Sequence, residues 1–270
     1  MNTLIHKGTA LITGASSGIG AVYADRLAQA GYDLILVARS ADKLRTLAKQ
    51  LTTRSGRSVE VIAADLTKAT DLAKVETALK TDASITVLVN NAGVGATASL
   101  LQSEIGKMEQ MITLNVSVLT RLAYAAAPAF VSRGAGTIIN ISSSVAVTPE
   151  VLNGVYGGSK AFVLAFSQSL QHELADKGVR VQAVLPGATA TEFWGTAGMP
   201  LEHLPQSIVM SAEDMVDAAL AGLKLGEVVT IPSLPDRADW DTFESARKAL
   251  APGLSRSTPA ARYAVANGAS

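Results

Sequence analysis

Thr9-Ala10-Leu11-Ile12-Thr13-Gly14-Ala15-Ser16-Ser17-Gly18-Ile19-Gly20 is the stretch that decides the fold. Its first four residues form a short apolar run that reads as a strand. Glycines follow at 14, 18 and 20, and then Ile19, Val22, Tyr23, Leu27 and Ala30 recur at helical spacing, with Gly31 placed to stop the helix. Strand, glycine turn and helix in succession suit the pyrophosphate of a dinucleotide. Glycine lets the backbone approach it, and the helix N-terminus receives its charge. The spacing is G-x-x-x-G-x-G rather than G-x-G-x-x-G, so the turn alone also fits an ordinary strand-to-helix connection.

Outward from this turn the alternation continues. Asp33–Ala38 reads as a strand, Ala41 to about Thr53 as a helix, Val59–Ala63 as a strand, and the segment through Leu72, Val75 and Leu79 as a helix. Ile85–Val89 is a fourth strand that closes on Asn90-Asn91-Ala92-Gly93. Strands that each end in a polar or glycine cluster, separated by helices, predict an α/β fold: one doubly wound, Rossmann-type domain with a mainly parallel sheet and helices on both faces. With 48% hydrophobic, 17% charged and 4% aromatic residues, the core has to be built from Ala, Val, Leu and Ile, which suits a sheet covered on both sides.

The 23 Lys and Arg are matched by 23 Asp and Glu with no basic block, which argues against nucleic acid or an anionic membrane as partner. Cysteine is absent, so disulfides and thiolate metal sites are excluded. His6, His172 and His203 share no ligand spacing, and no metal is expected. The start, Met1 to Gly8, lacks a signal-peptide core, and no uninterrupted apolar run has membrane-spanning length; a soluble cytoplasmic protein is expected.

Further along, a helical region from about Ser103 to Val131 carries Asn115, an amide that on pattern alone is a packing residue. Thr137–Ile141 is a strand that delivers Ser142, Ser143 and Ser144. A helix runs from Tyr156 through Phe162, Phe166, Leu170 and Leu174 to Gly178, and the strand Val179–Leu185 stops at Pro186-Gly187. Residues 188–210 lose regularity and hold Phe193, Trp194, Met199, Pro200 and Pro205; a loop this long is expected to act as a lid. Ser211-Ala212-Glu213-Asp214 signals a capping box, Val228–Ile231 a short strand, and Trp240–Leu250 a last helix. The domain is thus expected to span 1–250, leaving a tail, 251–270, that docking on the body or on a neighbouring subunit would order.

Ligands of such sheets bind outside the carboxyl ends of the strands. Gly14 to Gly20, Arg39, Asp65-Leu66 and Asn91-Ala92-Gly93 all fall there, although Asp65 or Asn91 singly also suits a cap or a turn. About 20 residues after the glycines an NAD site carries an acid for the ribose 2′-hydroxyl. Here Ala38 and Arg39 stand in its place. Arginine pairs with a 2′-phosphate, which points to NADP, the alternative being a surface arginine that starts the next helix. Tyr156 and Lys160, four apart on a helix, share a face. An ammonium at about 4 Å, at an effective dielectric of about 20, favours phenolate by roughly 4 kcal/mol, which makes the phenol a proton donor usable near neutral pH. Such pairs also arise by chance.

Taken together, the chain resembles the short-chain dehydrogenase/reductase family over residues 5 to 232. Thr13-Gly14-Ala15-Ser16-Ser17-Gly18-Ile19-Gly20 is similar to the family's T-G-x-x-x-G-x-G loop, Asn90-Asn91-Ala92-Gly93 to its N-N-A-G, and Tyr156 to Lys160 to its Y-x-x-x-K. Ser143, thirteen residues before the tyrosine, matches the catalytic serine by spacing, with Ser142 and Ser144 a slip of one away. Asn115 matches the catalytic asparagine. Pro186-Gly187 with Thr189 and Thr191 resembles the segment beside the nicotinamide and pyrophosphate. The resemblance implies NADP(H), with Gly14, Ser16, Ser17, Gly18, Ile19, Gly20, Arg39, Asp65, Leu66, Asn91, Ala92, Gly93, Tyr156, Lys160, Pro186, Gly187, Thr189 and Thr191 around it. It further implies hydride transfer between nicotinamide and a carbonyl or secondary alcohol, Tyr156 moving the proton. Lys160 would tune the tyrosine and bind ribose, Ser143 would hold the substrate oxygen, Asn115 a water, and Asp65 would meet the adenine. The positive charge of the oxidised cofactor would be a second influence towards phenolate.

A homodimer or homotetramer through the Asn115 and Tyr156 helices is expected on the same ground. The substrate pocket, drawing on residues after Gly93, on Val145 to Asn153, and on Phe193 and Trp194, is expected to be apolar and to take a small-molecule carbonyl or alcohol. Two other readings fit the motifs: an NADP-binding sensor without turnover, and an NAD-preferring alcohol dehydrogenase.

Overall fold

Alternation of side chains along a strand sends Ala10 and Ile12 to one face of the sheet and Leu11 to the other, and each face finds its own helices. A computed structural model describes residues 7–263; His6 and the tail beyond 263 lie outside the described residues. The strands are β1 (Thr9–Thr13), β2 (Asp33–Ala38), β3 (Val59–Ala63), β4 (Ile85–Asn90), β5 (Gly136–Ile141), β6 (Val179–Val184) and β7 (Val229–Thr230). They form an all-parallel sheet in the order β3-β2-β1-β4-β5-β6-β7. The helices are α1 (Gly18–Gln29), α2 (Ala41–Ser55), α3 (Ala69–Thr81), α4 (Ile105–Ile112), α5 (Leu119–Arg133), α6 (Gly154–Leu174), α7 (Phe193–Ala197), α8 (Ala212–Lys224) and α9 (Arg237–Ala249).

Ala10, Ile12, Leu34 and Leu36 pack with Tyr23 and Leu27 of α1, Leu44 of α2 and Met215 of α8. Leu11, Ile35, Val37 and Ile138 pack with Val75 of α3, Phe130 of α5 and Leu170 of α6. The sheet is therefore doubly wound. Its chain order reverses between β1 and β4, which opens a crevice at their carboxyl ends.

Several boundaries differ from the sequence expectation for local reasons. The α6 helix starts at Gly154 rather than Tyr156, because the Asn153 side chain accepts from the amides of Val155 (2.9 Å) and Tyr156 (3.3 Å). The single helix expected over 103–131 is α4 and α5 joined by a π-wound turn, Thr113–Val118, which contains Asn115. The irregular loop 188–210 holds α7, and its ends are clasped where Met210 N donates to Ala188 O (2.9 Å) and Ala190 N to Met210 O (2.8 Å). Ser211 caps α8, accepting from Asp214 N at 2.9 Å, but the box is only half made: the Asp214 carboxylate accepts the Ser211 hydroxyl (2.7 Å) instead of its backbone amide.

By its contacts the chain divides into a unit ending at Ser233 and a second beginning at Leu234. Periodicity alone runs on to 250 because it cannot register which helix groups with which. Within the second unit Asp236 caps α9 and the Trp240 and Phe243 rings lie 5.3 Å apart.

The stretch Ile105–Arg133 is long and apolar enough, by length and composition, to cross a membrane. It is interrupted by Lys107, Glu109 and Arg121, and Leu122, Ala126 and Phe130 are buried against the sheet.

One hydroxyl ties the two sides of the crevice together. Thr13 Oγ1, at the end of β1, accepts from the amides of Asn91 and Ala92, both at 3.0 Å, and donates to Val89 O at 3.3 Å. Thr13→Val keeps the shape but strands two amides, and is expected to cost about 2 kcal/mol. A lowered urea midpoint at unchanged m value would show it, whereas Thr13→Ser should retain most of the stability.

Candidate active site

The crevice between β1 and β4 widens into a cavity of about 1680 Å³. The glycine turn forms its floor. Gly14 and Gly18 sit at φ +65° and +53°, a region that side chains strain to adopt. Gly20 has an ordinary φ, but a Cβ there would strike the carbonyl of Gly14. Ser17, the residue before α1, makes no side-chain cap bond, so the first-turn amides are left for an anion. The Asn91 side chain braces the turn from across the crevice, donating to Thr13 O (3.0 Å) and Gly14 O (3.2 Å).

At the β2 end, the Arg39 side chain is exposed and has no hydrogen-bond or ion-pair partner among the described residues. Asp65 accepts from the hydroxyl (2.7 Å) and the amide (3.1 Å) of Thr67. Those bonds, together with the charges of Lys68 and Arg39, hold its carboxyl below the usual range against the opposing pull of burial. Lys43 meets Glu192 at 3.3 Å, an exposed ion pair that joins α2 to the 188–210 segment across the cavity mouth.

At the β5 end the three serines separate by what they bond. Ser142 Oγ donates to Lys160 O (2.7 Å) and so serves the backbone of α6. Ser143 Oγ donates to Pro186 O (3.5 Å) and accepts from the Val145 amide (3.4 Å), both long contacts, and it lies close enough to Tyr156 to oppose the rise in the phenol's pKa. Ser144 is only half-buried, its amide bonded to Pro186 O. All three line the cavity; the Ser142 hydroxyl is committed to α6, and Ser143 is the one whose side chain acts on Tyr156.

Lys160 Nζ donates to Ile141 O at 2.9 Å and lies 5.8 Å from the centre of the Tyr156 ring. The lowered tyrosine pKa inferred from the lysine alone is not what the protein by itself displays. Burial pushes the Tyr156 phenol up, and the Ser143 bond only partly opposes it. The same burial pushes Lys160 down to about 8. Two groups taken out of water together both favour their neutral forms, and a lysine that sheds its proton loses its hold on the phenol.

Asn115 is buried behind the cavity rather than in it. Its amide brackets Val94, accepting from the Val94 amide (3.0 Å) and donating to its carbonyl (2.9 Å), and also donates to Ser159 Oγ (3.0 Å). It is therefore more than a locally bonded helix amide: it holds the segment after β4 against α6. Gly20 does not line the cavity either. Every other residue anticipated for the cofactor or for catalysis does, including Leu66, Ala92, Gly93, Pro186, Gly187, Thr189 and Thr191, whereas of the stretch Val145 to Asn153 expected in the substrate pocket only Val145, Val151 and Leu152 do. Ser40, Lys43, Gln110 and Glu192 also line it and went unnoticed. They belong to no motif, and only the folded chain brings them to one cavity. Among the described residues no cluster of His, Asp or Glu is arranged for a metal.

Residues 8–199 match the short chain dehydrogenase family. A short-chain dehydrogenase from Sphingobium yanoikuyae, solved in complex with NADPH, is 49% identical and superimposes with a TM-score of 0.92 over 95% of this chain and 100% of that one. A bulky-bulky ketone specific alcohol dehydrogenase from Comamonas testosteroni is 43% identical, with a TM-score of 0.88 over 97% and 99% of the two chains. The 17-beta-hydroxysteroid dehydrogenase type 3 of Danio rerio is 33% identical over 223 residues, 81% of this chain and 70% of that protein. Against its rat and human counterparts the match spans 60% and 59% of their length. The chain belongs to the short-chain dehydrogenase family and is an NAD(P)-linked oxidoreductase.

The Lys160 shift carries a pH signature. In the cofactor-free protein the folded chain releases this proton at about 8, while the unfolded chain holds it to about 10.5. Between those values the unfolded state binds more protons, so the Lys160 contribution makes stability rise with pH through that window. Denaturant titrations from pH 7.5 to 10.5 on wild type and Lys160→Met should show the rise in wild type and its absence in the variant; parallel profiles would refute it.

Proposed function

We propose that this protein is an NADP(H)-dependent reductase of carbonyl compounds, or in reverse a dehydrogenase of secondary alcohols, with Tyr156 as general acid and base. The observation that carries the reading is the convergence of Ser143, Tyr156 and Lys160 on the same cavity as the glycine turn. When bound, the reduced cofactor supplies the hydride to the carbonyl carbon.

The chain's own residues do the rest. The turn from Gly14 to Gly20 and the open amides of α1 receive pyrophosphate, and the free Arg39 guanidinium, with Ser16 or Ser17, receives the 2′-phosphate. Asp65 faces the adenine, and Lys160 the nicotinamide ribose. Ser143 holds the substrate oxygen while Tyr156 gives it a proton and is left as phenolate. Lys160, ionised at neutral pH, stabilises that phenolate, and a positive nicotinamide adds to the effect. Asn115, whose side chain is committed to Val94 and Ser159, would hold the water that links Lys160 to solvent.

The reacting end is apolar. Tyr156 clusters with Met108, Met111 and Val145, and Leu152 and Phe193 pack on them. Lys160 is the charged side chain beside Tyr156, whereas Arg39, Lys43, Asp65 and Glu192 gather at the other end. We assign the substrate accordingly as an uncharged, apolar ketone or alcohol. We retain the expected second copy on α5 and α6, whose Tyr124, Phe166 and Phe162 rings stack in sequence at 6.5 and 5.6 Å with Tyr124 exposed, and a cytoplasmic location. A monomer in sedimentation, or recovery in the membrane fraction, would remove these two points.

NADPH oxidation followed against a panel of ketones tests the whole reading. Tyr156→Phe is expected to lower kcat by about 10²- to 10⁴-fold while NADPH still binds. Arg39→Asp should weaken NADPH by about 2 kcal/mol, near thirtyfold, and leave NADH little changed. Tight NADPH binding without turnover of any ketone would favour a sensor, and a wild type that prefers NADH would overturn the cofactor assignment.

A further inference from the structure

Phe193 opens α7 and comes to lie against the tyrosine. Its ring centre is 5.8 Å from that of Tyr156, and Trp194 meets it edge-on at 5.6 Å. The tip of the same ring points at Gly95, two residues beyond Gly93. A Cβ on Gly95 would fall onto the tip of the Phe193 ring, and Gly95 has no positive φ that would call for glycine. Its missing side chain is a notch into which the phenyl tip fits.

The ring is also anchored through its helix. The amide and the hydroxyl of Thr97 both donate to Ala197 O, at 3.1 and 3.0 Å, which ties the end of α7 to the segment that contains Gly95. Trp194 is buried and its Nε1 donates to Thr189 O at 2.9 Å, below the clasp that joins Ala188 and Ala190 to Met210. Phe193 is thus held by the notch, by the tyrosine and by a helix fastened at both ends. A ring so held is a fixed wall of the cavity beside Tyr156, part of the apolar cluster that includes Val145 and Leu152.

We propose that Phe193, seated in the Gly95 notch, determines substrate specificity by limiting the size of one of the two groups flanking the carbonyl. The proposal rests on the ketone reductase reading above. Removing the phenyl opens room beside Tyr156 for a second large substituent. Adding a methyl at Gly95 drives the ring out of its notch and changes the same dimension, but only while the ring is present.

The experiment compares kcat/KM for aryl methyl ketones with kcat/KM for diaryl ketones, in wild type, Phe193→Ala, Gly95→Ala and the double variant, with NADPH affinity measured in each. Phe193→Ala is expected to raise the diaryl to aryl-methyl ratio by about tenfold or more with NADPH affinity kept within about twofold. Phe193→Leu should fall between. Gly95→Ala should alter the ratio in the Phe193 background and leave it unaltered in the Phe193→Ala background, where no ring stands in the methyl's way. An unshifted ratio in Phe193→Ala, or a Gly95→Ala effect of equal size in both backgrounds, overturns the assignment. Failure of wild type to turn over either ketone class overturns the reading beneath it instead.

Discussion

The Thr13 hydroxyl sets the geometry on which the site depends. β1 and β4 are neighbours in the sheet but far apart in sequence, and a hydroxyl at the end of one accepts two amides from the turn that follows the other. Asn91 returns the contact by donating to the carbonyls of Thr13 and Gly14. The glycine turn is therefore held by two strands from opposite halves of the fold. Glycine makes that turn possible. The braces decide which of its many conformations is kept.

At the other end the same economy of contacts produces a tension between burial and charge. Tyr156 and Lys160 are both taken from water, and among the described residues no carboxylate acts on them; the lysine finds a backbone carbonyl instead. Isolated in this way, the pair favours a neutral phenol and a lysine that is ionised at pH 7 but not strongly so. The site is poised to answer added charge. On the function proposed above, a cationic nicotinamide beside the phenol would favour phenolate, and proton release would follow oxidation of the cofactor through electrostatics.

The fold was legible because strand and helix periods alternate cleanly from Thr9 to Gly93 and each strand ends in a polar or glycine cluster. The site was legible as far as it lies on such strand ends. What escaped depends on packing between distant segments. Asn115 reads as an ordinary helix amide, since its bonds to Val94 span 21 residues and its π-wound turn leaves no mark in composition. The start of α6 was misplaced by two residues because Asn153 was not recognised as a cap. The upward shift of Tyr156 in the cofactor-free protein escapes the sequence because a lysine four residues away is visible there and the burial of both groups is not.

Charge is also sorted along the cavity, and the sorting bears on how one site handles two unlike molecules. Arg39, Lys43, Asp65 and Glu192 line one end, whereas Phe193, Val145 and Leu152 surround Tyr156 at the other. Ionic groups exposed at the rim stay hydrated and can trade partners with a phosphate at small cost, since exposed ion pairs are weak. The dry end, with its dispersion contacts and its fixed aromatic wall, gains from fit rather than from charge. Both ends hang from the 188–210 segment, through Glu192 at one and Phe193 at the other, adjacent residues at the start of the same short helix. That helix is fastened through Ala197 and Trp194, so Glu192 and Phe193 are set in place together even though the two ends select their ligands by different physics.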